Sequence, residues 1–272
     1  MPHATVNGID VHYLEAGEGF PILLIHGFTG NLHNWDLQVP LLCQEYRTIL
    51  PDLRGHGHSA KPTRPEDYTL ELMVEDVYGL VRHLGLAQCY LVGHSMGGMI
   101  AQRLILAYPE PFRALVLVDT AAEVPAAVRT PERERLREIA RTQGMEAVFE
   151  EQLRNNPMAD QMRAHPALVE MWRQEFLLTS REAYLYCAQG MANGKPLLHE
   201  LQAIEAPTLI ICGENDELFV EPSHRLHERI PSSELVIIQG AGHSPQMEQP
   251  DEFNRVLAGF LSRVRQSVAA GG

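Results

Sequence analysis

Apolar positions recur along the chain with two periods, and the switches between them divide it into elements. Ile9–Leu14 alternates apolar and polar residues, as a strand with one buried face does. Pro21–Ile25 is a continuous apolar run, as expected for a strand buried on both faces. Arg47–Pro51, Gln88–Val92 and Ala114–Val118 read as further strands. Helical patterns fall at Trp35–Cys43, Thr69–His83 and Met96–Ala107. The second has Glu71 and Glu75 near its start and Gly85 beyond its end. Asp52–Asp67 is punctuated by Gly and Pro and must be a loop. Such strand–helix alternation implies parallel pairing with right-handed crossovers.

The rhythm breaks near residue 122. From there to about residue 200 no strand is evident, and helical patterns occupy Pro131–Arg141, Glu146–Arg154, Pro166–Leu178 and Arg181–Met191. Strands resume at Pro207–Cys212 and Glu234–Ile238, and a last helix runs from Asp251 to about Val264. The small residues of Ser267–Gly272 are expected to fray. The predicted organisation is a core domain of residues 1–121 and 201–272 interrupted by a helical cap, residues 122–200. A block of about 80 residues is too long for a plain connection in a compact domain. A merely structural helical layer is the alternative.

Bulk properties narrow the field. The 272 residues are 45% hydrophobic and 21% charged, enough to bury a large core without metal or disulfide staples. A net charge of −13 argues against nucleic acid, which requires clustered cations, and against an anionic membrane surface. No apolar run approaches the ~18 residues that span a bilayer. Met1-Pro2-His3-Ala4 does not open a signal peptide, and a cytoplasmic protein is expected. Cys43, Cys89, Cys187 and Cys212 have no metal-ligand spacing, so they read as free thiols and no metal is expected.

Val92-Gly93-His94-Ser95-Met96-Gly97-Gly98 contains G-x-S-x-G. About one chain in ten of this length would contain that pattern by chance; its place between a strand and a helix gives it weight. A serine on so tight a turn is held in a strained backbone conformation with its hydroxyl exposed. The residues two before and two after it approach closely, which calls for glycine at both. The plainer alternative is a Gly-rich turn with an N-capping serine. A hydroxyl is a poor nucleophile until a base takes its proton, so a histidine from elsewhere in the chain is needed.

This elbow, with His26-Gly27-Phe28 after the earlier strand, Asp52-Leu53-Arg54-Gly55-His56-Gly57-His58-Ser59 after the next, and Gly242-His243 near the end, resembles the α/β-hydrolase superfamily over about residues 5–265. The resemblance implies an α/β fold with a mostly parallel central sheet, flanking helices and an inserted cap. It implies a triad in the order serine, acid, histidine: Ser95 as nucleophile, Asp216 as acid and His243 as base. Asp119 and Glu214 are alternatives for the acid. It also implies an oxyanion hole from the backbone N–H groups of Phe28 and Met96. His26 would support that loop, His94 would pack, and His56 and His58 would be structural.

A triad of this kind performs acyl transfer without cofactor or metal. Gly-His-Ser-Met-Gly-Gly resembles carboxylesterases and enol-lactone hydrolases. Carbon–carbon hydrolases of ring-cleavage products are similar overall, but usually carry Trp shortly after the catalytic histidine, where Gln246-Met247 stands here. The expected substrate is a small-molecule ester or lactone with small to medium apolar groups, held by Trp35, Phe149, Trp172, Phe176 and Met191, with Tyr184 nearby. For the cap residues, packing between helices is the plainer alternative. A receptor that hydrolyses its ligand slowly is the alternative of another class.

Overall fold

The computed structural model describes residues 2–125, 130–155 and 166–270. Eight strands form one sheet: β1 (His3–Val6), β2 (Ile9–Ala16), β3 (Phe20–Ile25), β4 (Tyr46–Pro51), β5 (Cys89–His94), β6 (Phe112–Val118), β7 (Thr208–Gly213) and β8 (Ser233–Ile238). Their order is β1-β2-β4-β3-β5-β6-β7-β8. β2 pairs antiparallel with β1 and β4, and every other pairing is parallel.

The continuous apolar runs have the expected cause. In β3, Leu23 and Ile25 enter one core while Ile22 and Leu24 enter the other. Leu91 and Val92 of β5 divide in the same way. One face is covered by α1 (Leu70–His83) and α2 (Met96–Ala107), the other largely by α8 (Pro250–Ala270). Thr69 caps α1 by accepting from Leu72 N–H at 3.2 Å, the side-chain cap that orphan helical donors favour.

Between β6 and β7 lie α3 (Pro131–Gln143), α4 (Met145–Asn155), α5 (Pro166–Leu177) and α6 (Arg181–Asn193). They bury an apolar cluster of their own, with Leu136, Phe149, Phe176 and Tyr184 at its centre. Among the described residues, no helix is long and apolar enough to cross a membrane.

Several boundaries differ from the sequence reading. β1 was not anticipated; its four residues alternate exposed and buried, too short a run to stand out. The expected helix at Trp35–Cys43 is a 3-10 turn, Leu32–Trp35, followed by a single α-turn, Val39–Leu42. Pro40 lies in that α-turn, where its ring suits a helix start and not a helix interior. Helix α7 (Val220–Arg229) was missed; its two buried residues, Ser223 and Leu226, make too narrow an apolar stripe. Ser267 does not begin a frayed tail, because α8 continues to Ala270; residues 271–272 lie outside the described residues.

Parallel pairing aligns the carboxyl ends of the central strands: Ile25 faces Gly93, His94 faces Val118, and Val118 faces Ile211. The residues that follow these ends meet along one edge, where open α/β sheets form their crevice.

Candidate active site

Ser95 turns the chain from β5 into α2 with φ 52° and ψ −115°, a backbone conformation that non-glycine residues reach only under strain. The glycines around it are required by contact. A Cβ on Gly93 would stand 2.4 Å from Gly97 O, and one on Gly97 would stand 2.4 Å from Ile25 O. A Cβ on Gly98 would meet the Thr120 side chain at 2.6 Å. The elbow is thus wedged against β3 and the end of β6.

His243 Nε2 lies 2.9 Å from Ser95 Oγ, and His243 Nδ1 lies 2.6 Å from Asp216 Oδ2. A carboxylate can only accept, so Nδ1–H donates to Asp216 and Nε2 is left to accept from the serine hydroxyl. Asp216 is buried and His243 half-exposed. The histidine loop is held from several sides. Glu248 accepts from Gly242 N–H (2.7 Å) and Ser244 N–H (2.9 Å), and Glu214 accepts from Gly240 N–H (3.0 Å). Glu214, an alternative acid in the sequence reading, instead braces this loop. His94 Nε2–H donates to His243 O at 2.7 Å. Burial, and then the neighbouring His243, push the His94 pKa down to about 3, so it is a neutral donor. It does more than pack, because it fixes the backbone of the residue whose ring faces Ser95. Neither Glu248 nor His94 carries a sequence signal for these roles, since each contact joins separate turns.

The loop after β3 is a tight turn, with Gly30 N–H donating to Gly27 O at 3.2 Å. His26 spans it: Nδ1–H donates to Gly27 O (2.7 Å) and Nε2 accepts from Leu53 N–H (2.9 Å). Asp52, buried, accepts from Leu32 N–H and His58 N–H, each at 2.9 Å. Arg54 grips Asp76 with two nitrogens, at 2.5 and 2.6 Å, fastening the following loop to α1. His56, whose pKa burial and then His26 lower to about 3, donates Nδ1–H to Arg54 O at 2.9 Å. Among the described residues, the backbone N–H groups of Phe28 and Met96 donate to no protein acceptor, and both residues line the same cavity as Ser95 and His243.

That cavity holds about 590 Å³. Its apolar wall includes Met99, Leu136, Tyr184, Met191 and Phe219. Four of the expected pocket residues are elsewhere. Trp35 is fully buried on the far face of the sheet against Phe253. Phe149, Trp172 and Phe176 form the interior of the helical block, where Phe149 packs on both other rings. Large aromatics drew them into the expectation, and packing between layers claims them. Met191 does line the cavity. The walls are less apolar than expected: Arg133, Arg137 and Glu134 of α3 also line them. Arg137 pairs with Glu134, whereas the guanidinium of Arg133 has no partner among the described residues. Desolvation by the cavity wall lowers the Arg133 pKa, and Tyr184 partly opposes this.

Among the described residues, Asp119, Cys212 and Asp216 are the one grouping with metal-ligand chemistry. Asp216 is already engaged by His243, and Asp119 Oδ1 by Gly213 N–H at 3.0 Å.

Residues 21–250 match the family described as alpha/beta hydrolase fold. An enol-lactonase from Burkholderia xenovorans LB400 is similar with TM-score 0.85 and 31% identity, over 96% of this chain and all of that one. A thermophilic esterase from Thermogutta terrifontis is similar with TM-score 0.84 and 33% identity, over 97% of this chain and 98% of that one. The dihydrolipoyllysine-residue acetyltransferase component of an acetoin cleaving system from Pseudomonas putida is 31% identical over 96% of this chain and 69% of its own length.

Proposed function

The chain belongs to the α/β-hydrolase fold family, and we propose that it is a serine hydrolase cleaving small-molecule carboxylic esters, with Ser95, His243 and Asp216 as its catalytic triad. The observation that carries this reading is the unbroken line from Ser95 Oγ through His243 to Asp216, at 2.9 and 2.6 Å. That line ends at a cavity also lined by Phe28 and Met96, whose backbone N–H groups have no protein acceptor among the described residues.

Ser95 Oγ attacks the ester carbonyl carbon while His243 Nε2 takes its proton. The oxygen of the tetrahedral intermediate accepts from Phe28 N–H and Met96 N–H, at the positive end of α2. His243 returns the proton to the departing alkoxide, leaving an acyl group on Ser95. Water, deprotonated by His243, then attacks the acyl carbon, and the bond to Ser95 Oγ breaks as His243 returns the proton to that oxygen and the acid leaves. Asp216 holds Nδ1–H throughout, so Nε2 is the basic nitrogen and the imidazolium is stabilised. The helical block, residues 122–200, serves as the cap over this cleft, since α3 and α6 supply cavity walls. Phe28 stacks on Tyr184 of α6 with ring centroids 5.5 Å apart, joining the oxyanion loop to the cap.

Lactone opening uses the same steps, and the likeness to an enol-lactonase favours it as the second reading. Hydrolysis of 4-nitrophenyl esters from acetate to palmitate, by the wild type and Ser95→Ala, tests the proposal. Rapid turnover that disappears in the variant is expected. Equal rates for the two proteins would refute ester hydrolysis at Ser95.

A further inference from the structure

A second carboxyl group, unused in the mechanism above, lies beside Asp216. Asp119 follows β6 with φ 41° and is fully buried. Its N–H donates to Ile211 O at 2.9 Å. Its Oδ1 accepts from Gly213 N–H (3.0 Å) and from Cys212 Sγ–H (3.3 Å). Its Oδ2 is buried and, written as a carboxylate oxygen, receives no donor among the described residues. Oxygens of Asp119 and Asp216 and the sulfur of Cys212 lie within 4.8 Å of one another.

Buried beside the Asp216 carboxylate, Asp119 does not ionise as well, because the neighbouring negative charge raises its proton affinity. The surroundings decide which one holds the proton. From β7 and its following loop come Cys212 and Asp216; from α7, the Ser223 hydroxyl sits by Cys212. His243 lies beyond Asp216 and, of the two carboxyl groups, bonds to Asp216, and His94 behind it is neutral. The Arg133 cation acts on Asp216 from across the cavity. No cation contacts Asp119 among the described residues. Asp216 is bound to His243 Nδ1–H, so the unengaged Oδ2 of Asp119 is the atom left to carry a proton.

We propose that Asp119 is a neutral carboxylic acid that donates its Oδ2–H to the Asp216 carboxylate, and so positions the triad acid and takes up part of its charge. The inference rests on reading Ser95, His243 and Asp216 as the triad. Burial first, and then the hydrogen bond with Asp216 and its charge, outweigh the Gly213 N–H and hold the Asp119 pKa well above the carboxylate range, which agrees with it. Asp119 is a positioning residue: it touches Asp216, and neither Ser95 nor His243.

Two variants and two readouts test this. Asp119→Asn keeps an N–H donor toward Asp216 and a carbonyl toward Gly213 N–H. Asp119→Leu removes both. Infrared difference spectra, wild type minus Asp119→Asn at pH 7, are expected to contain the C=O stretch of a protonated carboxylic acid. The Asn variant is expected to retain kcat/KM within about threefold, with the acid limb of its pH profile unmoved, because the hydrogen bond is kept. The Leu variant is expected to lose about tenfold or more in kcat, the value of a hydrogen bond to a charged group. Its acid limb moves to higher pH, since an undispersed charge on Asp216 favours the His243 imidazolium. The proposal is overturned if the spectra show only carboxylate bands, or if Asp119→Asn moves the acid limb to lower pH. Either result would mean that Asp119 carries a negative charge that the amide removes. The infrared arm needs no turnover, so failure of the ester-hydrolase reading is distinguishable from failure of this one. It also decides the question if Asp119→Leu does not fold.

Discussion

Gly93→Ala tests the wedge that sets Ser95, the proposed nucleophile. The added Cβ would lie 2.4 Å from Gly97 O, 2.6 Å from Gly97 C and 2.8 Å from Gly98 Cα. All three are backbone atoms, so no side chain can swing aside. Ordinary contact begins near 3.4 Å, and the start of α2 must therefore retreat by about 1 Å, the difference between 3.4 and 2.4. That retreat carries Met96 N–H away from the proposed oxyanion position and Ser95 Oγ away from His243. A misplacement of about 1 Å costs on the order of 100-fold in rate, and overpacking costs about 1–3 kcal/mol of stability. For a chain of this size that is a fall in Tm of about 2–12 °C. The assay is kcat on 4-nitrophenyl butyrate at a temperature where both proteins are folded, with Tm measured in parallel. Gly85→Ala is the control: unlike Gly93, Gly85 has positive φ, but its Cβ would meet nothing within 4 Å. It should cost about 1–2 kcal/mol of backbone strain and leave kcat unchanged. A Gly93→Ala enzyme that loses no more kcat than Gly85→Ala would refute the wedge argument.

Other consequences are open to measurement. Trp35→Ala should cost about 3–5 kcal/mol of stability, since it empties a buried site, without altering the acyl-chain profile; Met191→Ala should shift that profile toward longer chains. A changed profile in Trp35→Ala would return Trp35 to the pocket. His56 and His94 are held neutral with pKa values near 3, against 6.5 when exposed. The unfolded chain therefore binds more protons between these values. The stability due to the neutral rings, complete above pH 6.5, is lost as pH falls toward 3. Urea midpoints across that range should fall less steeply in His56→Asn, and an equal slope would contradict the burial argument. Arg133→Gln should lower the preference for mono-4-nitrophenyl glutarate over 4-nitrophenyl butyrate by about twofold to fivefold, as for a partly solvated ion pair. An unchanged ratio would show that this cation does not meet the substrate.

Much of this molecule is legible along the chain because its causes are local. Strands buried on both faces must be apolar throughout, so β3, β5, β6 and β7 stand out as continuous runs. A strained strand-to-helix turn needs glycine at set offsets, so Gly93, Ser95 and Gly97 are visible as a motif. The helical periods between residues 131 and 193 mark an interruption of the sheet for the same reason. Tertiary structure decided what depends on which layers meet. Trp35, Phe149, Trp172 and Phe176 are apolar aromatics, and a sequence records their need for burial but not whether a cavity or a helix answers it. The clamp of Glu248 on the histidine loop, the His94 bond to the His243 carbonyl and the place of the Arg133 guanidinium in the cavity wall arise between turns separated along the chain. The separate places of Asp119 and Asp216 are of the same kind: the family resemblance already favours Asp216 as the acid, but does not fix where Asp119 lies. Both follow strands that end at one edge of the sheet, and only the packed arrangement turns His243 Nδ1 toward one and buries the other behind it.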